Sequence, residues 1–407
     1  MKIQDMQTTV IAVPNRKPHP TSWLKWNAPG SQPAIVVVVE LLTDEEINGF
    51  GEATVWISAE TTLAYLKFIK PVLIGQDPFQ VNVLRKNLHA YVKGVHLRDT
   101  SHGALAAVEM AMWDLLGKSV NKPLYKIWGG AFRKEIPYFL YVARARPEEM
   151  AAEAERLIRE NGSGTLFTKV GFGIVEDEEA LRGIREGAAR AGNADALIRI
   201  DANQTWTPGA AVRNIKRLER YGLEYVEQPT TMHNLDGMAR IRKSVDTPIL
   251  AHESCWTFYD TLNVIKREAA DAIQIDPRFD VGYAGAKIAA GMAEAAGMPV
   301  SVHIHGELGL ATSSIMHLVA SGPNFSLANQ TEYRNRTDDI MKGDMFRFER
   351  GHLRLPEGPG LGVEIDRAKL KKYADYYANE ARKSYESDSA PFKDEFQGSV
   401  NIPGTQP

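Results

Sequence analysis

The chain has 407 residues, 44% of them hydrophobic and 24% charged, with a formal net charge of −3. That length suits two or three domain-sized units, or one large barrel with a smaller domain, and the charge offers no basic surface for a nucleic acid. A single cysteine, Cys255, excludes a disulfide framework within the chain; with no long apolar run and no apolar leader core near Met1, a soluble cytoplasmic protein with no membrane partner is expected.

The first third is mixed. "AIVVVVELLTD" (34–44) reads as a strand, and "EEINGFGEA" supplies an Asn-Gly turn into the next, so an antiparallel meander is expected. A Pro-rich polar stretch between Val13 and Pro33 carries Trp23, Lys25 and Trp26, which suit a lid over a site. Helical periodicity follows over 102–120, where Leu105, Val108, Met112, Leu115 and Leu116 share a face.

From Ile136 the pattern alternates between strand and helix. Strands are expected at "IPYFLYV", "TLFTKV", "ALIRIDAN", "EYVEQP", "PILAHES", "AIQID", "PVSVHIH" and "FSLANQ", with helical stretches such as "PEEMAAEAERLIREN" between them. Eight βα units spaced by roughly 25 to 30 residues make a (β/α)8 barrel.

Residues at the C-terminal ends of parallel barrel strands face one mouth. Here strands two to seven end in Lys169, Asp201 followed by Asn203, Glu227, Glu253, Asp276 and His303. One acid in a βα loop is an ordinary helix N-cap, but three from consecutive units need a cation or protons among them. Oxygen-only ligands favour a hard divalent ion, and Mg2+, one per subunit, keeps positions open for a substrate. Asp276 and His303 end neighbouring strands, so the carboxylate can fix the imidazole tautomer and leave the other nitrogen for proton transfer. Lys169 stands across the mouth, where a neighbouring divalent ion lowers its pKa toward that of a neutral base; a core or surface lysine is the alternative. Arg278 is a candidate for a substrate carboxylate, and His305 for a substrate contact. His252 precedes Glu253 and by strand alternation points behind the sheet. Cys255 has no sign of a nucleophile's partners and reads as structural. Two bases flanking a divalent ion suit removal of a proton α to a carboxylate, with the cation stabilising the enediolate.

Several segments resemble the mandelate racemase and muconate-lactonizing branch of the enolase superfamily, over nearly the whole chain to about Leu370. They are "AAVEMAMWDLLGKSVNKPLYKIWGG", the strands "RIDANQTW", "VEQPT" and "AHESCW", the strand end "TKVGFG", and "IDPRF" with "SVHIHGELGLATSSIMH". The resemblance implies an α/β fold: a modified (β/α)8 TIM barrel over 131–335, an α+β capping domain from residues 1–130, and a C-terminal segment, 336–407, that returns to the cap. It implies Mg2+ held by Asp201, Glu227 and Glu253, the base Lys169, the dyad His303–Asp276, and loops near 19–30 and 54–58 that close over the substrate. "DPRF" and "EGPGLGVEID" lean toward the glucarate-type acid-sugar dehydratases. Three positions depart from the pattern: Phe167 replaces the first lysine of Lys-x-Lys, Glu253 stands where that type has Asn, and Asn329 stands where the eighth strand often offers an acid to the enediolate. The leading expectation is a Mg2+-dependent lyase that dehydrates a sugar acid to a 2-keto-3-deoxy acid. Racemisation or epimerisation of a 2-substituted carboxylate comes second and cycloisomerisation of a lactone or diacid third. From another class, a catalytically silent barrel that binds metal and carboxylate is the rival. A symmetric homo-oligomer is expected.

Overall fold

A computed structural model describes residues 1–16, 33–55, 58–92, 98–162, 164–279 and 282–382. Three antiparallel strands, β1 (Ile3–Val13), β2 (Ala34–Thr43) and β3 (Gly49–Thr54), form a sheet in that order. The valine run of β2 is buried at eight successive positions because both faces of this sheet are covered. Alternation divides it: Val37 and Val39 pack with three helices, α1 (Ala59–Leu73), α2 (Val81–Val92) and α3 (Arg98–Ser119), while Val36 and Val38 join the large core of the rest of the chain. Glycine allows the closest approach. A Cβ on Gly51 would lie 1.9 Å from the Ala107 carbonyl oxygen of α3.

The second region starts with β4 (Glu135–Pro137) and β5 (Leu140–Tyr141). It continues through β6 (Thr165–Lys169), β7 (Leu197–Asp201), β8 (Leu223–Glu227), β9 (Ile249–Ala251), β10 (Ala272–Ile275) and β11 (Val300–Val302). Strands β5 to β11 form one parallel sheet in sequence order, with helices such as Pro147–Asn161, Ile174–Arg190 and Tyr283–Ala295 between them. Such short parallel strands read as apolar runs because helices and core bury both faces.

Two expected strands come out differently. The run 136–142 is split: β4 pairs antiparallel with β12 (His352–Arg354), and only β5 joins the parallel sheet. The run 325–330 forms no ladder strand, yet its backbone meets both edges of the sheet. Gln330 N donates to Val302 O at 2.9 Å, and Phe139 N to Asn329 O at 3.0 Å. The Asn329 side chain stands in for missing ladder bonds, its Oδ1 accepting from Val302 N at 2.9 Å and its Nδ2 donating to Pro137 O at 3.0 Å. Asn329, expected at the substrate, is a fully buried joint between the sheet's edges.

Beneath the strand ends the interior is filled. The Arg199 guanidinium lies 4.7 Å from the Tyr225 ring centroid and 5.6 Å from that of Phe139, and pairs with Glu224. Phe167 stacks on Phe139 at 4.7 Å, so the residue replacing the first lysine of Lys-x-Lys belongs to this aromatic floor. The chain then returns to the first sheet: Arg367 pairs with Glu40 of β2, and Thr337 Oγ1 donates to Pro14 O at 2.8 Å. Among the described residues no helix is long and apolar enough to cross a membrane.

Candidate active site

The strand register sets one row of side chains. Lys169 is opposite Asp201, and Asp201 is opposite Glu227, at the C-terminal ends of β6, β7 and β8. Beyond β7 and β8 the backbone turns through left-handed conformations at Asn203 (φ 42°), Gln204 (φ 67°) and Gln228 (φ 36°). Local strain of this kind persists where surrounding bonds enforce it. Asn203 N donates to Asp201 Oδ1 at 2.7 Å, while Gln228 Oε1 accepts from His252 N and Ser254 N, both at 3.1 Å. Gln228 therefore fixes the turn that carries Glu253.

Lys169 Nζ is ion-paired with Asp201. Glu253 Oε1 accepts from Asn203 Nδ2 at 3.3 Å and from Gln204 Nε2 at 3.2 Å. His252 Nδ1 stands 2.9 Å from Glu227 Oε1 and 3.6 Å from Glu253 Oε2, at ion-pair distance without hydrogen-bond geometry. This corrects the expectation that His252 points behind the sheet. Strand β9 ends at Ala251 and a 3-10 turn follows over Glu253–Cys255, so strand alternation no longer governs where His252 points. Its ring lies 4.3 Å from that of His303.

At the other end, His303 Nδ1 is 2.8 Å from Asp276 Oδ2, which brings the expected dyad together. Arg278 does not present itself to a substrate carboxylate. Its Nε donates to both Asp276 oxygens at 2.9 and 3.0 Å, and its Nη1 to Thr54 Oγ1 at 2.9 Å and to the His305 carbonyl at 3.2 Å. His305 enters the network through that carbonyl. Trp23 and Lys25 lie outside the described residues, as do all of the lid region expected near 19–30 and residues 56–57 of the loop expected near 54–58. Cys255 is buried and its Sγ donates to the Ala251 carbonyl at 2.9 Å, a structural role as expected.

The charges explain the protonation preferences. Burial and the Glu227 charge push Asp201 up to about 7 despite Lys169. Burial works to lower Lys169, but the charges of Asp201, Glu227 and Glu253 prevail and raise it. Burial likewise opposes a charge on His252, yet Glu227 and Glu253 carry it up to about 9. His303 is pushed down to about 3 by burial and then by the charge of His252. Against burial, Arg278 and His303 hold Asp276 well below the usual carboxylate range.

The fit of this pocket to a divalent ion rests on its donors. Asp201, Glu227 and Glu253 are all buried, and Glu227 Oε2 and Glu253 Oε2 have no hydrogen-bond partner. Buried carboxylate oxygens without a partner are costly unless a cation neutralises them. As the side chains stand, no three His, Cys, Asp or Glu among the described residues converge on one point at ligand distance. Lys169 takes Asp201 and His252 takes Glu227. Three carboxylates make an oxygen-only donor set, the chemistry that suits magnesium.

Residues 149–369 match the enolase C-terminal domain-like family, and residues 6–129 match the N-terminal domain of mandelate racemase / muconate lactonizing enzymes. The chain belongs to that family. Within the mandelate racemase / muconate lactonizing enzyme family it is similar to the N-succinyl-L-Arg/Lys racemase of Bacillus cereus, 31% identical over 91% of this chain and 98% of the relative. It is also similar to the L-Ala-D/L-Glu epimerase of Bacillus subtilis, 33% identical over 91% and 99%. The solved structure of the Bacillus cereus racemase superposes with a TM-score of 0.83 at 29% identity, covering 92% of this chain and 98% of that one. A dehydratase, the arabinonate dehydratase of Saccharolobus solfataricus, is 26% identical over 84% of this chain and 91% of the relative. The chain is thus an enzyme of the enolase superfamily whose relatives are mostly isomerases, so the lean toward acid-sugar dehydratases finds the weaker support.

Sequence reasoning placed His252 behind the sheet and missed Gln204 and Gln228. The signal for each was closeness in sequence to an acid already singled out, in "HES", "DANQ" and "EQP".

Proposed function

We propose that the protein is an isomerase of small carboxylic acids, removing the proton α to a carboxylate and returning one to the opposite face of the same carbon. The observation that carries this reading is the placement of Lys169 and His303 at the two ends of one carboxylate row. A 1,1-proton transfer needs one acid and one base on opposite faces, and these residues supply them in either order. With Nδ1 turned to Asp276, His303 has Nε2 left to take or give the proton; Lys169 Nζ serves the other face. Asp201, Glu227 and Glu253 would hold a magnesium ion, which when bound supplies the positive charge an enediolate requires. Asn203 and Gln204 orient Glu253, and Gln228 orients the turn beneath it.

The substrate class in this reading is an N-acylated amino acid or a dipeptide, following the relatives that act on such molecules. The same reading assigns residues 1–130 and the segment from 336 onward to a cap, and residues 131–335 to a modified (β/α)8 barrel with 325–330 in the eighth position. A second reading, dehydration of a sugar acid, shares the first step and then uses protonated His303 to expel a β-hydroxyl. Similarity to the arabinonate dehydratase supports it.

Proton NMR of the magnesium-loaded enzyme in D2O tests both, against N-succinyl amino acids, dipeptides and sugar acids. Exchange of the α-proton with appearance of the opposite configuration is expected from the first two groups. A keto-deoxy product from a sugar acid would instead establish the dehydratase. No exchange in any group would sink the enediolate chemistry for these substrates.

A further inference from the structure

We propose that Arg278 is a positioning residue, which fixes Asp276 against His303 and ties the pair to the first sheet through Thr54. The inference rests on the reading of His303 as a proton-transfer group. The Arg278 side chain is 11% exposed and its nitrogens are already engaged. Its backbone N also donates to Asp276 Oδ1, at 2.9 Å. A guanidinium used in this way has no open fork for a substrate carboxylate.

Asp276 is thereby held in one plane. Its carboxylate accepts only, so the proton between it and His303 sits on Nδ1. Arg278 Nη2 also approaches Nδ1, at 3.1 Å, and a guanidinium never accepts. Asp276 is what reconciles these two donors: it takes a hydrogen bond from each and leaves the lone pair of His303 on Nε2. The charged groups facing His303 are then Asp276 and Arg278 from β10 and its exit, and His252 from the exit of β9, with Glu227 behind it.

The link to Thr54 extends the assignment. Thr54 ends β3, and Glu52 on the same face of that strand accepts from Leu308 N at 2.6 Å and Ala311 N at 3.2 Å. Leu308 and Ala311 lie at the start of helix Gly309–Ala320, a few residues after His303. One strand of the first sheet therefore grips the chain before and after the histidine strand. A shift of that sheet reaches Asp276 through Arg278.

The test uses the full-length protein with Arg278→Lys and Thr54→Val, read in two ways. The first is α-proton exchange in D2O on the best substrate. A positioning residue predicts kcat lowered by about 10- to 100-fold in Arg278→Lys and by a few-fold (~3) in Thr54→Val, with KM nearly unchanged. A raised KM with kcat intact would make Arg278 a substrate contact and overturn the proposal. The second needs no substrate: two-bond proton–nitrogen spectra of 15N-histidine protein, with His303 assigned by its loss in His303→Asn. The Nδ1–H tautomer is expected in the unsubstituted protein and a tautomer mixture in the variants. An unchanged His303 signal in both variants overturns the proposal. A changed signal in a protein that exchanges no carboxylate leaves Arg278's role standing while the isomerase reading falls. Should Arg278→Lys fail to fold, Thr54→Val decides alone.

Discussion

The two ends of the carboxylate row are built by different means. The lysine end comes from adjacent strands of one sheet: Lys169 of β6 reaches Asp201 of β7 directly. The histidine end is composite, with His303 on β11, Asp276 and Arg278 at the exit of β10, and Thr54 from the first sheet. At the first, a cation rests on a would-be metal ligand, so its state answers to whatever neutralises the carboxylates. At the second, the carboxylate partner is itself clamped by an arginine, so the orientation and tautomer of His303 are set by the fold, although the charge of His252 beside it answers to the row. One end is therefore open to the charge of the row, and the other has its geometry set by the fold.

Removing each end in turn is the sharpest way to break that comparison. His303→Asn should lower turnover by about 10³-fold or more, the upper part of the range for a lost acid–base group. Lys169→Met should lower it by about 10²-fold and leave exchange at one configuration of the α-carbon only. Equal loss of exchange from both configurations in each variant, measured by NMR in D2O, would show that the ends do not serve separate faces. Glu253→Gln comes next. It keeps one oxygen and removes one charge, so magnesium affinity measured by calorimetry should weaken by about 10- to 100-fold, while His303 keeps its Nδ1–H tautomer.

The first of these experiments targets residues that the sequence already exposed. Lys169, Asp201, Glu227, Glu253, Asp276 and His303 were legible because chemistry at the ends of parallel strands converges by construction, and the strands themselves carry clear apolar runs. What stayed hidden depends on contacts between segments far apart in the chain. Arg278 beside an acid looks like a free cation until Thr54, 224 residues earlier, is seen to hold it. Asn329 sits where a substrate contact is expected, but Pro137 and Val302 claim its amide. His252 obeyed strand alternation only if β9 ran one residue further than it does. Substrate class was illegible for a related reason: the segments that resemble the family lie at the strand ends, and the stretch expected to form a lid, with Trp23 and Lys25, carries no motif of its own.

The smallest expected effect concerns how the histidine end rests on the first sheet. Glu52 is fully buried at that contact, and burial pushes its carboxyl up to about 8. In the unfolded chain the same group ionises near the ordinary value of about 4.3. Between these values the folded state holds a proton that the unfolded state has released, so stability declines as pH rises, by at most about 1.4 kcal/mol per pH unit. Below about 4.3 the contribution is complete; above about 8 it is gone. Glu52→Gln keeps an acceptor for Leu308 N and cannot ionise. It should lose about 1 kcal/mol at pH 5 for the weakened contact to Ala311 N and regain ground on the unsubstituted protein as the pH rises to 8. Denaturant midpoints at the two pH values read the difference directly. A parallel decline in both proteins would mean that Glu52 is ionised in the fold, held by the amides at the start of helix Gly309–Ala320, and the histidine end would then rest on a charged anchor as the lysine end does.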